Sequence, residues 1–313
     1  MSPETQSPGW EWYYIGLYFF VGGVSAGAFF IGSLTELFGG GRYRTISRIA
    51  YYIAFPLILL TPPLLIGDLG QPGRFLSLFW YNDGATPYLN TQSPLSIGSW
   101  ALWVFAFFAG LAFVDNLIAD GVAARFFGIP GVKTLATLFG QAYTRGPRKV
   151  YAVIGSAAGF FIAGYTGVLL NLTARPFWAA TDPWMGALFI ASATSTGAAA
   201  IYLVMALWKI SAGGEYEELE QFDRIAKVLE IVLIVVLIIA AGQYAAPLMS
   251  GTYALLFWGG TVLLGILIPL ALNFYSSLRS GRKMSSAMVM LMALFVLLGG
   301  ALLRIAVVQA GQV

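Results

Sequence analysis

The sequence has no cysteine and no histidine, and only 10% of its 313 residues are charged. Without cysteine the chain forms no disulfide, offers no thiolate to a metal and ligates no iron–sulfur cluster of its own. Without histidine it cannot clasp haem between paired imidazoles or switch an imidazole charge near neutral pH. Electrons crossing such a chain must ride on a dissociable organic carrier or a neighbouring subunit. The basic residues are scattered among loops with no interleaved aromatic patch, so the net charge of +3 leaves no footprint for nucleic acid.

What the chain has instead is apolar surface. Hydrophobic residues make up 58% of it and the mean hydropathy is +0.78, whereas soluble domains run near roughly a quarter charged. Only lipid can cover so much apolar surface, so the chain reads as an integral membrane protein. The opening MSPETQSPGWEW is polar and acidic and lacks the order of a signal peptide, so the first hydrophobic segment is expected to persist as a helix. A span needs about 20 mostly apolar residues. Eight segments qualify, at about 14–38, 46–66, 96–119, 149–172, 184–209, 225–243, 252–277 and 286–309. Each is expected to be helical, because an open strand leaves its backbone unsatisfied in lipid. The fold class is all-α and polytopic, in a single domain over 1–313.

Lysine and arginine number fourteen in the loops after the odd-numbered spans and three, Arg74, Arg175 and Arg304, on the other side. That asymmetry places both termini outside. SAGA at 25–28 in the first span is echoed by STGA at 195–198 in the fifth, which admits two parallel four-helix bundles. Gly155, Gly159, Ala163 and Gly167 form a small-residue stripe suited to close helix packing. The inner loop 121–147 is long enough for an amphipathic surface helix, and GGEYEELEQFD (213–223) reads as an acidic inner turn. Trp10, Trp12, Tyr13, Tyr14, Trp80, Tyr81, Trp178 and Trp184 read as an interfacial belt, and Asp120 and Asp223 as surface charges.

Ionisable residues at membrane depth are functional candidates. On the outer side lie Asp68 at the end of the second span, Arg74 beyond it, Asn171 and Arg175 at the end of the fourth, and Arg304 in the eighth. Tyr165 sits about two turns inside that end of the fourth span. Asn171 and Arg175 would be i, i+4 neighbours on a continued helix. Asp68 and Arg74 flank LGQPG, a stretch built for a tight turn. Two readings fit them: caps that hold the loop, or polar walls of a site. A phenol, a carboxylate and a guanidinium around an apolar crevice would suit a quinone, whose oxygens accept hydrogen bonds and whose reduction takes two protons. On the inner side Glu36, Asp115 and Glu230 either reach interfacial water or relay protons.

GGVSAG in the first span, DLGQPGRF (68–75), SPLSIGSW (93–100) and GYTGVLLNLTARPFW (164–178) resemble, in order and over nearly the whole chain, the polysulfide reductase membrane-subunit family, often called NrfD- or PsrC-like. The resemblance implies a haem-free, quinone-binding subunit of a respiratory oxidoreductase in a bacterial or archaeal cytoplasmic membrane, inactive alone. Its cofactor would be menaquinone or ubiquinone, with no iron–sulfur cluster or metal in this chain. Its partners would be an extracytoplasmic ferredoxin-type iron–sulfur subunit and a molybdopterin catalytic subunit. The family's tyrosine, asparagine and arginine fall on Tyr165, Asn171 and Arg175, and its acidic turn on Asp68, with Tyr14 bordering the site. Tyr165 and Asp68 would then exchange hydrogen bonds and protons with the quinone head, and Arg74 and Arg175 would steady negative charge on its oxygens. Asp115 and Glu230 would carry the proton route. A secondary transporter and a purely structural anchor are the alternative readings.

Overall fold

The computed structural model describes residues 10–39, 42–69, 71–80, 86–121, 148–210, 214–278 and 285–313, with Thr134 and Leu138. The eight expected spans are helices: Trp12–Phe38, Arg44–Asp68, Pro94–Ala119, Lys149–Asn171, Trp184–Leu207, Glu218–Leu248, Gly251–Tyr275 and Ser286–Ala310. Among the described residues the sole β pairing is one isolated bridge, Trp80 with Pro87. The protein is therefore a multi-pass membrane protein of the all-α class.

Local chemistry sets the helix ends. Ser93 opens the third span by accepting a hydrogen bond from the Ser96 amide at 3.3 Å, and Ser285 does the same for Met288 at the eighth. The second span breaks into Arg44–Leu59 and Thr61–Asp68, because Pro62 and Pro63 supply no amide to the preceding turn. Thr61 covers the break by donating its hydroxyl to the Ile58 carbonyl at 2.7 Å. The seventh span is a π-helix through Leu255–Leu267.

The first span packs on the second and fourth, and the third closes that ring against both. The fifth packs on the sixth and eighth, and the seventh closes the other ring against the eighth and, more loosely, the sixth. Two four-helix bundles result, joined chiefly where the first span meets the fifth. Of the most apolar stretch of these two spans 78% is buried, against 28% in the seventh, so they form the shared core.

The SAGA and STGA echoes are the two sides of that contact. A Cβ on Gly27 would lie 1.9 Å from the Ala193 carbonyl oxygen, and one on Gly197 2.4 Å from the Gly27 backbone. Only glycine lets the two backbones approach so closely. The stripe on the fourth span divides its work. Gly167 meets the Met185 and Gly186 backbone, whereas Gly155 and Gly159 receive the rings of Phe29 and Phe105.

Four expectations change. The acidic segment 213–223 is no turn: helix begins at Gly214 and runs to Ala241, because Asp223 and Lys227 neutralise each other one turn apart and can enter the membrane together. Asp223 is buried, not a surface charge. Asp120 likewise pairs with Arg48 and accepts a hydrogen bond from the Tyr52 hydroxyl at 2.6 Å. Trp178 is buried and stacks on Trp10 with ring centres 5.5 Å apart, so these two leave the interfacial belt, whereas Trp12, Trp80 and Trp184 remain exposed. Of the segment 121–147, expected to form an amphipathic helix, only Gly121, Thr134 and Leu138 are among the described residues, and Tyr81 lies outside them.

Replacing Gly27 by alanine is expected to cost about 2 kcal/mol by overpacking the helix crossing. Gly73→Ala, where a Cβ meets nothing within 4 Å, should change stability by less than about 0.5 kcal/mol. Tryptophan-fluorescence melting of the two variants checks this.

Candidate functional site

Two aromatic rings laid on glycines shape the outer corner of the first bundle. Tyr14 lies against Gly67, where a Cβ would come within 2.7 Å of its ring, so the phenol abuts the chain segment that carries Asp68. Tyr165 lies against Gly98 of the SPLSIGSW motif, where a Cβ would come within 2.4 Å of its ring. The Tyr165 hydroxyl donates to the Pro94 carbonyl at 2.5 Å, which holds it at the outer mouth of the third span. Phe161 stacks on its ring at 5.6 Å. Tyr18, one turn below Tyr14 and fully buried, lies in the neighbourhood of Tyr165.

Asp68 ends its helix, and its Oδ1 accepts the Glu11 amide at a long 3.4 Å. From Glu11 a rim of contacts runs on. The Trp10 carbonyl accepts from Gln309 at 3.3 Å and Gln312 at 2.9 Å, and the Trp178 indole donates to the Val307 carbonyl at 2.9 Å. Both ends of the described chain and the ARPFW turn thus meet at one edge of the membrane. Asn171 belongs to this rim: its Nδ2 donates to the Trp178 carbonyl at 2.5 Å and to the Thr181 hydroxyl at 3.1 Å, while its buried Oδ1 has no partner among the described residues.

The two outer arginines stand apart. The helix stops at Asn171, so Arg175 is not its i+4 neighbour but the residue before the short helix Pro176–Ala180, and it is exposed. Arg74 is exposed on the 3-10 turn Pro72–Leu78, and among the described residues no ion pair joins it to Asp68. Tyr14 thus meets the segment that carries Asp68, Tyr165 sits at the start of the third span, Asn171 joins the Trp178 rim, and Arg74 and Arg175 are exposed.

The inner acids fall into separate places. Glu36 is half-buried and accepts the Tyr51 hydroxyl at 2.7 Å. Asp115 is only 2% exposed, so it does not reach interfacial water. Its helix packs between the second and fourth spans, whereas Glu230 lies on the sixth, which packs on the fifth. Glu230 engages the Ser192 hydroxyl and interacts with Arg304, Lys227 and Asp223. Arg304, fully buried, donates to Ser192 Oγ at 2.9 Å and to the carbonyls of Gly300 at 2.9 Å, Phe19 at 3.2 Å and Phe189 at 3.4 Å. A Cβ on Gly23 would stand 2.9 Å from its guanidinium, so the second glycine of GGVSAG makes its room.

Sequence reasoning missed Asp223, Lys227 and Ser192 in this cluster. The signal was present as a spacing: 223, 227 and 230 mark one helical stripe. Among the described residues no group of three or more metal-type ligands is placed to hold a metal ion.

Comparison with known proteins agrees over the full length. The family described as "Polysulphide reductase, NrfD" matches residues 2–313. The C chain of the polysulfide reductase of Wolinella succinogenes is 30% identical over 322 residues, covering 97% of this chain and 94% of that protein. "Protein NrfD homolog" of Haemophilus influenzae is 28% identical over 323 residues, with the same 97% and 94% shares. The C subunit of the selenate reductase of Mesobacillus selenatarsenatis is 21% identical over 309 residues, 87% of this chain and 68% of its own length.

Asn171→Ala is expected to loosen the rim by about 1–2 kcal/mol, the loss of two partly buried hydrogen bonds. A lower melting temperature, with the helical circular-dichroism signal unchanged below the transition, is the result to look for.

Proposed function

The chain belongs to the polysulphide reductase NrfD family, and from that premise we propose that it is the quinone-reactive membrane subunit of a respiratory oxidoreductase complex. It binds quinone or quinol at the outer corner and exchanges two electrons with an iron–sulfur partner subunit of ferredoxin type, which docks on the outer face. A molybdopterin subunit completes the complex and carries the terminal chemistry. The chain works within that complex: with neither cysteine nor histidine it offers no thiolate to an iron–sulfur cluster and no imidazole pair to haem.

The observation that carries this reading is the pairing of Tyr14 with Gly67 and Tyr165 with Gly98. Each ring packs directly on bare glycine backbone, which fixes the two phenols at the outer ends of their spans as polar groups on apolar walls. The acceptor chemistry fits a quinol. Tyr165 gives its hydrogen to Pro94, which leaves its oxygen able to accept one. Asp68 spends only a long contact on the Glu11 amide, so its carboxylate can accept another. The buried, unpartnered Oδ1 of Asn171 adds a third acceptor on the rim. When bound, the quinone supplies the two-electron, two-proton chemistry that the side chains cannot. Asp68 holds and releases a proton at one of its oxygens, Tyr165 accepts a hydrogen bond from the other, and Phe161 and Tyr18 keep water from the ring. Exposed Arg74 and Arg175 act on the approach and docking side, drawing in negative charge. Asp115 and Glu230 belong to the inner half, as stations for protons from the cytoplasm.

Binding of a tail-shortened hydroxyquinoline menaquinone analogue, followed by quenching of its fluorescence, tests this. Asp68→Asn, Tyr165→Phe and Gly98→Ala should each weaken saturable binding roughly five- to tenfold, the worth of one polar contact or one ring displacement. Glu230→Gln should leave it unchanged. No saturable binding to the wild type with its partner subunits present would discard the quinone reading and leave a structural anchor.

A further inference from the structure

The sixth span buries three charged residues on one stripe: Asp223 at 3% exposure, Lys227 at 1% and Glu230 at 3%. Lys227 is four residues after Asp223 and three before Glu230, so both carboxylates lie on its helix face as i, i+4 and i, i+3 neighbours. In the structure it pairs with Asp223, whose other oxygen accepts the Ser195 hydroxyl at 3.2 Å. Glu230 also interacts with Lys227, and on its far side with Ser192 and Arg304. The fifth span thus presents Ser192 and Ser195 to the stripe, and the eighth presents Arg304. Two acids and two bases make a quartet with no net charge when all are ionised. A pocket at the inner end of the second bundle is lined by both Asp223 and Lys227, together with Glu220, Tyr202 and Asn273.

We infer that Lys227 passes protons from Asp223, at the inner pocket, to Glu230, and that the quartet holds one exchangeable proton at a time. The step is balanced. Asp223 takes a proton from hydronium arriving at the pocket and leaves water. Lys227 gives one of its three ammonium protons to the Glu230 carboxylate and regains one from the Asp223 acid. The ammonium is unchanged, Asp223 is ionised again, and Glu230 is protonated beside Ser192. The second acid stays ionised meanwhile, because a quartet already one positive charge in excess resists another in a low-dielectric interior. Arginine at the same place would keep the charge but could not hand on a proton. The inference deepens the proton-route part of the proposed function and rests on that reading for its direction.

Infrared spectroscopy of the full-length chain in lipid nanodiscs tests it without quinone. Mild acidification of the wild type should bring up the C=O band of one buried carboxylic acid, and Glu230→Gln should remove it. Lys227→Met strips one positive charge from the quartet, so one acid should already be protonated at neutral pH. Adding Asp223→Asn to that variant restores the balance and should restore the wild-type pattern. Lys227→Arg should keep the wild-type band but slow its hydrogen–deuterium exchange roughly tenfold or more, because guanidinium does not release protons in this range. If Lys227→Met fails to fold, the double variant and Lys227→Arg carry the test. An unchanged band in folded Lys227→Met would overturn the charge coupling, and wild-type exchange in Lys227→Arg would overturn the transfer. Either result leaves quinone binding untouched, so the two readings fail separately.

Discussion

The contact of the first span with the fifth at Gly27 and Gly197 sets most of the rest. With no side chain at either position the two backbones touch, and each bundle hangs from one of the two helices. Such an approach brings main-chain groups and a buried cation into one small volume. Arg304 fills it, with four hydrogen bonds to the first, fifth and eighth spans and its guanidinium 5.2 Å from the Phe189 ring centre. A buried cation is tolerated only when every donor finds an acceptor, so Arg304 ties down the crossing that admits it. The two bundles are thereby fixed to one another by both dispersion and charge.

From that crossing the molecule divides into two chemically different ends. Toward the outer face the first span carries Tyr18 and Tyr14 into a corner of rings and bare glycine backbone, rimmed by the Trp10–Trp178 stack and the Gln309 and Gln312 amides. Toward the inner face the sixth span carries its charges into the second bundle instead. Arg304 and Ser192 lie between the first span and the sixth, engaging the Phe19 carbonyl on one side and Glu230 on the other.

The architecture was legible because membrane burial is a length-and-composition constraint. Eight apolar stretches of sufficient length have no other way to fold, and the SAGA–STGA echo turned out to mark the crossing itself. The Tyr165 region was legible too, since SPLSIGSW and GYTGVLL supply the glycine and the phenol that meet. Less visible was anything decided by partners. Asp223 reads as a surface acid until Lys227 is seen to neutralise it, and that needs the register of a helix that composition starts eleven residues late, at 225 rather than Gly214. Trp178 reads as an interfacial residue because its partners, Trp10 and the Val307 carbonyl, are distant in sequence. Arg74 and Arg175 have the right charge for a site, but backbone turns aim them outward, and no spacing rule conveys that.

The most direct measurement is photolabelling of the full-length chain in lipid with an azido-quinone, followed by mapping of the labelled residues by mass spectrometry. Label concentrated between Trp12 and Tyr18, at Thr61–Asp68, at Pro94–Gly98 or at Tyr165, and competed away by quinone, is the result expected for an outer-corner site. Competable label confined to the inner ends of the spans, around Asp223 to Glu230, would contradict it.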